Sequence, residues 1–162
     1  MAAILIAIAA QTTLATLAFR GGTAIDLVLI VVVYIAIKSG PVTGLVAGTV
    51  AGLIQDALSS GILGIGGLAK TIVGFLAGVL GTQFIVTAPL PRFMILLLGT
   101  VLHAAIFMGL YTLLNLRQFP APYASVLGQA AGNAFIGVVA FQMIEWFPGF
   151  VDKRRAGRFL KR

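Results

Sequence analysis

Three ionisable side chains inside the apolar stretches of this sequence could do chemistry: Asp56, Lys70 and His103. Each is costly to place in hydrocarbon, so each calls for a partner or a function. Folding the chain at Leu63, within the turn SSGILGIGG, brings Asp56 level with Lys70. The simplest chemistry for such a pair is a buried salt bridge that sets the register of a helical hairpin. Contact with a partner's membrane helix or a ligand headgroup is the functional alternative. A proton relay needs several acids in series, and only Asp56 is central enough. His103 is the single histidine. Folding the last two apolar segments at about Phe119 sets it level with Phe135 and close to Asn133, which lies one turn from Gln129. It reads as a hydrogen-bonded strut, since one histidine without nearby acids or cysteines makes no metal site. The absence of cysteine removes disulfides, haem attachment and thiolate ligation. No Ser/His/Asp arrangement is in register and no two carboxylates share a face. GILGIGG follows no strand, so it does not read as a phosphate loop. No catalytic residue, cofactor or metal is expected.

The elements that hold these residues carry rows of glycine. Gly40, Gly44, Gly48 and Gly52 lead at four-residue steps to Asp56, and Gly66, Lys70, Gly74 and Gly78 lead to Thr82. Four-residue spacing keeps a row on nearly one helix face, and a glycine row lets another backbone approach closely. The fold at Leu63 sets Gly52 against Gly74, Gly48 against Gly78 and Gly44 against Thr82. These glycines are thus expected to serve as a helix-packing or partner interface.

With 60% hydrophobic residues, 9% charged residues and a mean hydropathy of +1.10, the chain cannot give itself a water-compatible surface. It reads as an all-α membrane protein, a bundle of six transmembrane helices. The spans are expected at 1–19, 24–38, 42–58, 67–87, 93–116 and 124–147, the first of them uncleaved. Prolines 89 and 91 are expected to break the helix between the fourth and fifth. Residues 1–152 form one membrane domain and 153–162 a basic cytoplasmic tail. The tail holds six of the eleven basic residues, among them Lys153, Arg154, Arg155 and Arg158. Its position beyond a last span points to anionic lipid at the membrane surface and not to nucleic acid. With both termini cytoplasmic, eight basic residues fall inside and Arg20, Lys70 and Arg117 outside, in keeping with the positive-inside rule.

The stretch from Asp26 to Phe75 resembles the rod shape-determining MreD family. The pattern is an Asp at the start of span two and a glycine-stepped helix ending in Gly52-Leu53-x-x-Asp56-x-Leu58-Ser59. A Gly64 to Leu68 turn and then Lys70 complete it. The resemblance implies a non-catalytic inner-membrane scaffold of the bacterial elongation complex, acting in cell shape and peptidoglycan synthesis. It implies direct binding to MreC through that protein's membrane helix and membership of a complex with RodA, PBP2 and MreB; the sequence leaves a homodimer open. It further implies a fold similar to the S subunits of energy-coupling-factor transporters. The alternative function is therefore a vitamin-binding S subunit, in which Ala3 and Ala7 would face a transmembrane partner. Such a pocket should gather polar and aromatic groups at the outer helix ends, and the short outer loops offer few.

Overall fold

The computed structural model describes residues 2–17, 25–59, 62–84, 86, 88–116 and 123–159; the side chains of residues 2, 3, 12, 14–17 and 147–159 lie outside the description. Among the described residues the chain forms six helices: α1 (Ala2–Leu17), α2 (Leu27–Ser39), α3 (Pro41–Leu58), α4 (Ile65–Gln83), α5 (Pro89–Leu113) and α6 (Tyr123–Phe159). Helices α3, α4 and α5, and the stretch Tyr123–Trp146 of α6, are long and apolar enough to cross a membrane. Helix α2, at 13 residues, is shorter. It would extend only about 20 Å.

That short helix is the centre of the bundle. It contacts all five of the others, which explains a sequence apolar on every side. On one face Val28 and Val32 meet Ile4, Ala7 and Ile8 of α1 and Ala47 and Ala51 of α3. On another, Leu29, Val33 and Ala36 meet Val73 and Ala77 of α4, Leu96 of α5 and Phe141 of α6. Ala7 is therefore a core residue and is not available to a transmembrane partner; the side chain of Ala3 lies outside the described residues. Gly40, at φ +88°, ends α2. Pro41 follows it as the first residue of α3, where its missing amide hydrogen is not needed.

The glycine rows pack α3 on α4, the most extensive helix pair, but in another register. A Cβ added at Gly44 would run into the carbonyl of Gly74, one at Gly48 into the backbone of Lys70 and Thr71, and one at Gly52 into Gly67. Gly78 faces Gly40 and Pro41 in the same way. The α4 partners of Gly44, Gly48 and Gly52 thus lie about two helical turns nearer the loop than a symmetric fold at Leu63 requires, and the α3 partner of Gly78 correspondingly farther from it. The cause is the start of α4. Helix α4 starts beside Leu53 and Asp56, with α3 running on past it to Leu58. These five glycines lie in contacts within the chain, so the structure assigns them packing and leaves them no surface for a partner.

The prolines near residue 90 do fall where α4 and α5 are separate, but at the start of α5 and not in the connection before it. Pro89 is the first residue of α5, and Pro91 lies in the same first turn, where amides have no intrahelical acceptor. This brings Arg92 into the bundle at 2% exposure. Its Nη1 and Nη2 donate to Glu145 Oε2 and Oε1 at 2.8 and 2.9 Å, its Nε donates to the carbonyl of Val86, and it lies 5.4 Å from the ring centre of Phe141. Lys38 reaches the same carboxylate at 2.7 Å. One end of the bundle is thereby clamped across α2, α5 and α6. Helix α6 continues past Trp146 to Phe159. The side chains of Lys153, Arg154, Arg155 and Arg158 lie outside the described residues, as do Arg20 and Arg117.

Candidate functional site

The other end of α2 carries the candidate site. Asp26 caps that helix, its Oδ1 accepting from the amide of Leu29 at 2.9 Å. Its remaining oxygen, Oδ2, pairs with Lys70 Nζ of α4 at 2.8 Å, both side chains being almost wholly buried. The predicted Asp56–Lys70 bridge is therefore replaced by Asp26–Lys70. Asp56 instead spans the turn, its Oδ2 accepting from the amides of Gly64 and Gly67 at 2.9 and 3.0 Å. The physical reason is the folded-back start of α4, which places its unsatisfied amides directly at the carboxylate. An anion is favourable at that end of a helix.

Lys70 also lies 3.1 Å from His103 Nε2 of α5. An ammonium only donates, so Nε2 accepts and the imidazole hydrogen sits on Nδ1. His103 thus contacts Lys70, and not the Asn133 that the sequence set close to it. From Asp26 the bonding continues the other way: its amide donates to Asn133 Oδ1 of α6 at 2.9 Å, and Asn133 Nδ2 donates to Thr100 Oγ1 of α5 at 3.2 Å. His103, Lys70, Asp26, Asn133 and Thr100 thus form a girdle that leaves α5 and returns to it through α4, α2 and α6. Gln11 extends it to α1, its Oε1 accepting from the amide of Val28 at 3.1 Å.

Above the girdle is a cavity of about 280 Å³. Asp26, Lys70 and His103 line it, as do Gln11, Gln55 and Gln129. Along α5, His103, Phe107 and Tyr111 form an aromatic file with ring centres 6.0 and 4.8 Å apart. Tyr111 Oη accepts from the amide of Ile62, fastening the α3–α4 connection over this wall. The polar and aromatic groups converge after all, from inside the helices and not from the outer loops. Sequence reasoning missed Asp26 as the partner of Lys70, and missed Arg92 with Glu145. Two signals were present: an acid just before a short apolar helix is a capping position, and His103, Phe107 and Tyr111 recur at four-residue spacing on one face. Among the described residues no group of histidines and acids is arranged to hold a metal ion.

A helical bundle with four segments able to cross a bilayer, and its charges paired inside, defines a polytopic membrane protein. The chain matches the family model of the rod shape-determining protein MreD over residues 1–151, and it belongs to that family. The likeness carried by Asp26 to Phe75 thus extends over nearly the whole chain, which is a membrane protein of rod-shape determination. No curated protein and no solved structure matches it.

Proposed function

We propose that the protein is a non-catalytic inner-membrane scaffold of the elongation complex. It binds the membrane helix of MreC and, in a complex with RodA, PBP2 and MreB, helps to set where peptidoglycan is made. The observation that carries this reading is the family match over residues 1–151. The mechanism is packing in lipid, where helix association rests on close contact and a few hydrogen bonds. Because the α3–α4 glycine seam is taken up internally, the partner's helix packs on other faces. All six helices belong to the membrane bundle in this reading, with both termini cytoplasmic. The clamp of Lys38, Arg92 and Glu145 then lies at the cytoplasmic end and the cavity at the outer end, and the basic residues after 152 lie against anionic headgroups.

The cavity favours a second reading, that of a transporter S subunit with a similar fold, because polar and aromatic groups converge in it. Purification of the tagged protein from its native membrane in mild detergent separates the two. MreC and cell-wall synthases are expected to copurify. Recovery of ATPase subunits with a bound vitamin would replace the scaffold by the transporter.

A further inference from the structure

The lining of the cavity at the Asp26 end carries two acids, Asp26 and Asp56, and one base, Lys70. Lys70 is paired with Asp26 at 2.8 Å and meets His103 at 3.1 Å. Asp56 is left without a cation among the described residues. The two amides it accepts from both reach Oδ2, and the start of a helix offsets only about half a charge. The lining therefore keeps a negative excess, and a carboxylate inside a membrane protein is costly without a partner of opposite sign. A second acceptor lines the same space. Gln55 Oε1 is buried with no hydrogen-bond partner among the described residues, and buried polar atoms are nearly always paired. Both features call for a guest that donates and is positive, as an ammonium does. The α5 wall suits the same guest. Phe107 and Tyr111 stand in file with ring centres 4.8 Å apart; such faces attract cations and pack on flat rings. At about 280 Å³ the space falls just below the usual range for drug-sized ligands. An anion finds no unpaired base in the lining. That also disfavours an ethanolamine lipid, whose ammonium arrives with a phosphate.

We infer that this cavity binds a small primary amine as its ammonium ion, carried on a single flat ring. The ammonium donates to the Asp56 carboxylate and to Gln55 Oε1, and the ring lies along Phe107. This rests on neither reading of the protein's role, scaffold or transporter, and its test uses the chain without partners.

The full-length protein in detergent is dialysed to equilibrium against labelled phenethylamine near neutral pH, with protein-free micelles as the blank. Saturable one-site binding is expected. Unlabelled phenethyl alcohol, the neutral counterpart, and hydrocinnamate, the anionic one, should each compete at least about tenfold more weakly than unlabelled phenethylamine, the loss expected from one hydrogen bond to a charged group. Asp56→Asn keeps an acceptor oxygen and removes the charge, and it should weaken binding by about the same factor. Gln55→Leu should weaken it less. Competition on the unmodified chain reads the preference for charge whatever the variants do to folding. Equal competition by the alcohol, displacement by hydrocinnamate, or undiminished binding to Asp56→Asn would each overturn the inference. Displacement by a short-chain phosphatidylethanolamine, but not by the matching phosphatidylcholine, would overturn it in favour of a lipid headgroup. Absence of saturable binding would overturn it in favour of a cavity that holds water only.

Discussion

Lys70 brings three donors into a buried position, and the groups that meet it are the Asp26 carboxylate and the imidazole of His103. Removing one side of such a pair strands the other charge, which costs about 3–5 kcal/mol, whereas removing both costs far less. Asp26→Ala and Lys70→Ala should therefore each lower the thermal midpoint in detergent more than the double substitution does. Additive losses would show that the pair carries no coupling. Asp56 belongs to a different interaction. Asp56→Ala should cost about 1 kcal/mol through the lost cap, and should combine with Lys70→Ala nearly additively. A double-mutant cycle on those two positions checks this, and strong coupling there would restore the bridge expected from the sequence. Residue type alone marked Asp56 and Lys70 as needing partners, because buried charge always does. It could not say which partners, because Asp26 is 44 positions before Lys70 in the chain and becomes its neighbour only when α2 packs on α4.

At the scale of the element, the α3–α4 hairpin depends on backbones that touch. Gly48→Ala should destabilise it by about 1–3 kcal/mol, the usual range for overpacking, because the added Cβ meets the main chain of Lys70 and not a side chain that can move. Gly109→Ala is the contrast. Nothing lies within 4 Å of a Cβ built there, so the substitution should leave the protein unchanged or raise its stability by up to about 1 kcal/mol through helix propensity. Thermal unfolding of the two variants side by side tests both; equal effects would mean that the seam is not tight. The seam itself was legible, since a four-residue glycine period has few other uses in a membrane helix. Its register was not. Periodicity reports which face a residue occupies but not its height along a partner, and that height goes with the start of α4, where the amides of Gly64 and Gly67 meet Asp56.

For the whole molecule, polar fastenings hold the two ends of α2, roughly 20 Å apart. The Asp26 girdle ties α2 to α4, α5 and α6, while Arg92, Lys38 and Glu145 tie it to α5 and α6 at the far end. Glu145→Gln should leave the nearly inaccessible Arg92 guanidinium without its anion, costing about 3 kcal/mol or more. Arg92→Lys should not substitute for arginine, because an ammonium cannot make the bidentate contact. Both should lower the thermal midpoint, and Arg92→Lys behaving as the unmodified chain would show that a point charge is enough.

The amino-acid sequence by itself determined the class of the protein, its helical composition, the close approach of α3 to α4 and the likeness to the MreD family. Those properties are local: hydropathy, glycine period and a contiguous motif are all written within a few turns of chain. The tertiary structure decided which acid meets Lys70, that Arg92 enters the bundle, and that Gln11, Gln55, His103 and Gln129 line one cavity. Each of those depends on the relative heights of helices far apart in sequence. The heights are fixed by connections and caps that a reading of faces cannot measure.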